Sequence, residues 1–469
     1  MNSMHLSSSV SVLNIENNLV ETLSTVATAD IGLCDNIPEP KLNGQVLGKL
    51  VVEIMQRVGL SLDKCVGIGT DGCSVMASQI CGAVKTIQSF VPQALRSPCF
   101  NHALNLSLGK SSSVQSIHNA VGTVKEVVSF FNASAKRNFI FKRVAGSQLQ
   151  SLCETRWVER HDSLLQFCSG LHDIVRALTI ISKWDDRDSS SKANILVHAL
   201  SSSEFIVSLF ALCDVLSVTL PISKKLQTVK IDCMEAKATV DDVISVLTTR
   251  RDDFDHFDQV YGYACDSMTD LEVPVVMPRL TSRQKNRANP PADSAAEYYR
   301  RAVYFPLVDS VLADLNYRFV ENATLDKLND LTYFVPACVV LNESLINISS
   351  LLKRYSFADA ADEVKLRGEL ALWRQRWIRL KTESNVVVPE TAADALEACD
   401  RMTFPFIHTF LCILVTLPVS TASAERSFST LRRLKTWLRS RMTEERLTGL
   451  ALMNIHRDIP VDVYEIYLS

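Results

Sequence analysis

Between Ser163 and Leu380 the chain carries one helix-spaced apolar face after another, and the β-type signal is confined to the part before residue 110. Leu164, Leu165, Phe167 and Leu171 share one such face, and Phe205, Leu209, Leu212 and Leu216 share another. A chain patterned this way folds as a predominantly α protein with a small α/β region at one end. At 469 residues it has the length of two to four domains, and 47% hydrophobic content supplies their cores. No internal repeat is visible.

Residues 1–42 show no sustained period and read as a weakly structured segment. From Asn43 to Val58, "NGQVLGKLVVEIMQRV" places apolar residues at 47, 50, 51, 54, 55 and 58, which predicts a helix. "LSLDKCVGIGTDG" predicts a turn, a short strand and a Gly-Asp bend. "SPCFNHALNLSL" predicts a strand-to-helix step, with helix onward to Phe131. Leu271 to Pro291 is Pro-rich and basic and reads as an exposed connector; "ESNVVVPETAADALEACD" reads as a second. Two helices close the chain. One spans Thr421 to Arg441, and Thr443 caps the other, with Glu444 and Glu445 at its positive end.

The net charge of −3 gives no chain-wide attraction to a polyanion, so any basic surface is local. The 13 cysteines are odd in number and scattered, and no secretory leader is visible. The expectation is a reducing compartment with free thiols. The apolar run Phe404 to Val419 holds 16 residues, two prolines and a histidine, too short and too broken to span a bilayer. Neither a membrane nor a small-molecule substrate is expected as a partner.

Five local patterns carry chemistry. Gly67-Ile68-Gly69-Thr70-Asp71-Gly72 matches a dinucleotide-binding pattern, but no Asp or Glu lies between Gly72 and Lys125 to hold a ribose. Asp71 at a strand end is either a metal carboxylate, if others converge on it, or the acid of an Asp-Gly bend. Cys99 and His102 have the spacing of half a zinc site; a buried thiol beside a hydrogen-bonded imidazole is the plainer reading. Arg156, Trp157 and Arg160 place an aromatic among cations, either a base-stacking platform or a core tryptophan with solvated arginines. "ERSFSTLRRLKTWLRSR" carries six Lys/Arg from Arg426 to Arg441, Arg432 and Arg433 among them, with no acid after Glu425. Leu431, Leu434 and Leu438 form an apolar stripe on that stretch, and Leu447 and Leu450 form one on the next helix. Trp437 lies outside the leucine stripe and is the natural aromatic anchor of a partner surface.

The order of these patterns is more specific than any of them alone. "GIGTDGCSVMAS", "RSPCFNHALNLSL", "CETRWVERHDSLLQF" and "LPVSTASAERSFSTLRRLKTWLRSRMTEERLTGLALMNIH" resemble the hAT superfamily of transposases, above all its domesticated, transposon-derived members. The resemblance covers about residues 43–460. It implies an RNase H-like core interrupted by a large all-α insertion and followed by a C-terminal dimerisation region. The corresponding modules are 43–165, 166–395 and 396–469. By motif matching, Asp71 resembles the family's second catalytic acid and Glu425 its third, Cys99 and His102 its Cys-x-x-His, and Trp157 its base-stacking tryptophan.

The family's first acid, in a segment resembling Asp-Glu-Thr-Thr-Asp, has no counterpart here, and the core therefore reads as incomplete and N-terminally truncated. Two-metal catalysis needs carboxylates on both ions. The expectation is a transposase-derived protein of the nucleus that dimerises with itself or a related hAT protein. It binds nucleic acid weakly, catalyses nothing and holds no cofactor. The alternatives are an active hAT transposase using Mg²⁺, and a repressor acting as a protein-interaction scaffold.

Overall fold

The computed structural model describes residues 43–421 except 79, 111–113, 151–156, 227–230, 279–289, 321–329, 342–347, 356–359 and 384–385, together with Leu434 and residues 442–455. Asn43 starts the first helix, α1 (Gly44–Arg57), by accepting the Val46 N–H on its Oδ1 at 2.9 Å. Strand β1 (Gly67–Thr70), helix α2 (Ala83–Phe90) and strand β2 (Leu95–Pro98) follow. Helices α3 (Phe100–Lys110), α4 (Gln115–Asn132), α5 (Ala135–Ala145), α6 (Trp157–Ser169), α7 (Leu171–Ile181) and α8 (Arg187–Leu200) come next. The long α9 (Ser203–Lys225), α10 (Cys233–Asp252), α11 (Phe254–Asp270) and α12 (Phe305–Leu315) continue the run. The last described helices are α13 (Ala360–Glu383), α14 (Pro405–Thr416) and α15 (Glu444–Ile455). The protein is thus predominantly helical, as its periodicity requires, and the strands among the described residues are a single parallel pair.

Contacts divide the chain into two compact units. One contains the described residues up to Cys99 and from Asp330 onward; the other runs from Phe100 to Leu325. The division follows packing.

In the first unit β1 and β2 pair in parallel, with Gly67 opposite Leu95 and Thr70 opposite Pro98. Ile68 joins an apolar cluster of Val52, Ile87, Val91 and Ala94, so α1 and α2 cover its face of the pair. The helices approach very closely. A Cβ on Gly44 would lie 2.3 Å from the Val75 carbonyl oxygen, and one on Gly48 would lie 2.6 Å from the Thr86 Cβ. The deepest face of α1 therefore includes Gly44, Gly48 and Val52 at four-residue intervals, a face that a count of apolar side chains does not show.

The helical remainder of this unit is built around aromatics. Phe334 stacks on Phe410 at 4.8 Å, Trp373 meets Phe404 edge-on at 4.9 Å, and the Trp373 indole N–H donates to the Phe334 carbonyl. The apolar run at Phe404 resolves into α14, whose Ile407, Phe410, Leu411 and Leu414 are buried. The connector after α13 contains a short helix, Ala392–Glu397, capped by the Thr391 hydroxyl.

The second unit packs around α9, which lies against α4, α6 and α11. By length and composition α9 could cross a membrane, a candidate span that the apolar run at Phe404 does not include; here most of its apolar surface is covered by neighbouring helices. Its one strongly buried charge is compensated. Asp214 accepts from Arg250 at 2.7 Å, from the Tyr304 hydroxyl at 2.9 Å, and lies 3.1 Å from the His256 Nε2. Burial first, and the Asp214 charge second, push the Tyr304 phenol far above its ordinary range, so it stays a donor. The connector Leu271 to Pro291 is exposed at Val275 and Val276 yet tied down. Ser203 Oγ donates to the Pro274 carbonyl and accepts from the Val276 N–H, and the Tyr299 hydroxyl donates to the Val276 carbonyl.

Two stability predictions follow from these contacts. Gly44→Ala forces backbone apart and costs about 1–3 kcal/mol or more, whereas Gly368→Ala, on α13 with nothing near its would-be Cβ, adds up to about 1 kcal/mol; denaturant melts of both variants read the contrast. Asp214→Ala takes the acceptor from the Tyr304 hydroxyl and one partner from Arg250 and costs about 1–3 kcal/mol. Asp309→Ala, which breaks the more exposed pair with Arg251, costs about 0–1 kcal/mol.

Candidate functional site

The carboxyl end of the strand pair gathers the most distant parts of the first unit. Gly67 and Gly69, two residues apart, lie on one face of β1. A Cβ on Gly67 would lie 2.4 Å from Leu417 Cδ2, and one on Gly69 would lie 2.4 Å from Pro418 Cγ. The two glycines give Leu417 and Pro418 direct access to the strand backbone. The glycine pattern that imitates a dinucleotide loop is thus a packing device. Ser97, opposite Gly69 on β2, donates to the Pro418 carbonyl at 2.5 Å. One turn of backbone further, the Thr421 N–H reaches the buried Cys99 Sγ at 3.4 Å. Cys99 itself donates its N–H to the Thr70 carbonyl at 3.1 Å, which places it beside the residue that precedes Asp71.

Asp71 is half-buried at this strand end. Its Oδ1 accepts the Cys73 N–H at 3.3 Å, closing the Asp-Gly bend. The exposed Cys73 thiol is pushed up, first by desolvation and then by its hydrogen bond to Asp71. On the neighbouring strand the Arg96 guanidinium is pushed down by burial, and the Asp71 charge offsets part of that. Arg96 Nε and Thr70 Oγ1 are buried without a hydrogen-bond partner among the described residues. Among those residues the strand end therefore offers one carboxylate with a cation beside it. Among the described residues no group of three His, Cys, Asp or Glu side chains converges there, whereas a divalent ion takes several oxygen ligands.

The remaining sequence-derived residues distribute as follows. His102 is half-buried on α3, in the second unit, so the Cys99–His102 pair straddles the division between the units. Trp157 and Arg160 lie on the backbone of α6; Arg156 and both of their side chains fall outside the described residues. Glu425, Arg426, Leu431, Arg432, Arg433, Trp437 and Leu438 also fall outside them, and Leu434 is half-buried. On α15 Leu447 is buried and Leu450 half-buried, whereas Leu452 and Met453 are exposed, Met453 by 65%.

Three contributors carry no signal in the sequence that marks their role. Leu417 and Pro418 gave no signal beyond lying in an apolar run, although the two-residue spacing of Gly67 and Gly69 marks a strand face needing a close neighbour. Glu369, 8% exposed on α13, accepts the Phe406 and Ile407 N–H groups at 3.0 and 3.1 Å and so caps the positive end of α14.

A predominantly helical protein, whose described residues include one parallel strand pair closed by Leu417 and Pro418, is the class that this geometry defines. Residues 383–459 match the hAT family C-terminal dimerisation region, which comprises α14, α15 and the segment that closes the strand pair. The chain carries that region. It is also similar to the 52 kDa repressor of the inhibitor of the protein kinase. Identity with the Homo sapiens protein is 27% over 428 residues, covering 87% of this chain and 55% of the relative. Identity with the Mus musculus protein is 26% over 432 residues, covering 88% and 56%. The chain spans about half the length of these curated relatives. The hAT resemblance drawn from the motifs agrees with both comparisons.

Two measurements probe the site. Asp71→Asn lowers the Cys73 thiol pKa and speeds its alkylation near pH 8; an unchanged rate would mean that the carboxylate does not act on the thiol. Burial raises the Glu369 carboxyl above its ordinary value of 4.5, outweighing the two N–H bonds. A carboxyl raised on folding contributes most below its unfolded pKa and loses that contribution as pH climbs through the folded value. Between about pH 4 and pH 7 the melting temperature of wild type therefore falls relative to Glu369→Gln.

Proposed function

We propose that the chain is a transposase-derived association module, joining a second copy or a related hAT protein through the C-terminal region. The observation that carries this reading is the match of residues 383–459 to the hAT dimerisation region. On α15 one face is buried through Leu447 and Ala451 while Leu452 and Met453 face outward, which suits a helix shared between a core and a partner. The basic run Arg426 to Arg441 then supplies a charged border or a weak contact to nucleic acid, with Arg156, Trp157 and Arg160 as the further candidates. A place in the nucleus follows from the similarity to a repressor.

In this reading the RNase H-like core, divided at residues 165 and 395, is a remnant. Asp71 and Glu425 are vestiges of its metal site, and this chain assembles no two-metal centre of its own. Two-metal catalysis needs carboxylates on both ions, and an absent ligand costs several kcal/mol of transition-state stabilisation, where about 1.4 kcal/mol is a tenfold rate. Asp71 serves the bend at the strand end instead.

Sedimentation equilibrium of wild type and Met453→Glu tests the association. Met453→Glu is expected to weaken it by about tenfold or more, with the thermal melt unchanged. Equal association of the two proteins would remove α15 from the interface. A supercoiled-plasmid nicking assay in Mg²⁺ or Mn²⁺ addresses catalysis. Nicking that is lost in Asp71→Asn would favour the transposase reading instead.

A further inference from the structure

Away from the strand pair, the second unit carries an open apolar groove of about 600 Å³ between α5 and the turn after α7. Ala135, Phe139, Ile140 and Trp184 give it an apolar floor, with Lys136 and Asp186 at its edges. Phe139 is 60% exposed. The helix beneath it is firmly seated, since the next aromatic, Phe141, is buried with its ring 5.0 Å from Phe131. The Phe139 side chain is therefore presented to solvent by an anchored helix.

The charges around the groove are sorted by side. Helix α5 carries Lys136, Arg137, Lys142 and Arg143 and no acid. Arg137 is occupied, its guanidinium 4.2 Å over the Phe130 ring. Lys136, Lys142 and Arg143 are exposed and form no ion pair among the described residues. Lys136, Phe139, Ile140 and Arg143 recur at the spacing of one helix face, so cations flank the apolar positions a turn away on either side. Beyond Trp184 the exposed residues Asp185, Asp186 and Asp188 bring negative charge, with Arg187 between them.

We infer that this groove docks an amphipathic helix of a partner protein, with its apolar face over Phe139, Ile140 and Trp184 and an acidic flank toward α5. The sorted charges choose this occupant. A nucleic-acid strand carries phosphate along its whole length and would meet Asp186 at the groove edge, in a turn where Asp185, Asp186 and Asp188 outnumber Lys183 and Arg187. A helix carries different charges on its two flanks and meets both edges favourably. An exposed aromatic beside a tryptophan is also the composition of an anchoring pocket.

The test uses the full chain and two fluorescent helical peptides of about four turns. Both carry the same leucine face; one has Glu and the other Lys along one flank. The Glu peptide is expected to bind about tenfold tighter in anisotropy titrations. Phe139→Asp should abolish binding with an unchanged circular-dichroism melt. The double variant Lys136→Glu/Arg143→Glu should reverse the preference, because the partner charges are exchanged. No saturation by about 1 mM Glu peptide would overturn the inference. So would equal binding of the two peptides by wild type. A thymidine oligonucleotide that binds more tightly than the Glu peptide, and is lost in Phe139→Asp, would assign the groove to nucleic acid instead.

Discussion

Two glycines on one face of β1 decide how the first unit closes. Without side chains at Gly67 and Gly69, Leu417 and Pro418 lie directly on the strand, and Ser97 fixes the register with a bond across 321 residues of sequence. Any side chain there would push the later segment away from the strand pair. Segments of such separation meet only after the entropy of closing a long loop has been lost, so a tight and specific contact is needed to hold them. The same contact brings Thr421 to Cys99 and so to the strand end that bears Asp71. Residues 417–421 of the dimerisation region are thereby held at the strand end that bears Asp71, one of the two acids matched by the family resemblance.

What the strand end does with Asp71 is structural. The carboxylate holds the bend through the Cys73 N–H and lies near a half-buried arginine. Arg96 is the cation beside it, and the two charges offset each other in part. The C-terminal region is held firmly on its other side too. Glu369 caps α14, and Phe410 stacks on Phe334, so the helix that opens the dimerisation region is part of a folded core. Burial near that helix pushes the Cys399 thiol to about 12, which leaves it protonated and unreactive. A partner surface built on such a region is pre-ordered, and association then loses less entropy than it would on a loose segment.

The sequence exposes those parts of the fold that follow a period or a local signal. Asn43 before an apolar stripe marks the start of α1, the "VGIGT" run marks β1, and the spacing of Phe205, Leu209, Leu212 and Leu216 marks the buried face of α9. It hides contacts made by residues far apart with no period in common. Asp214 collects Arg250, His256 and Tyr304 from helices 36 to 90 residues away, and none of the four is unusual in its own segment. The glycine face of α1 is hidden for a different reason, because close packing there comes from what is missing at Gly44 and Gly48. At the candidate site the family motifs identified the strand end, but the partner of its glycines could be seen only in three dimensions.

The central claim is that a chain carrying the hAT dimerisation region associates through it. Light scattering coupled to size exclusion, run on the full chain from low to tens of micromolar, tests this most directly. A mass rising with concentration to twice the 52.2 kDa of one chain is the predicted result. A mass that stays at 52.2 kDa throughout, with the protein fully folded by circular dichroism, would contradict it.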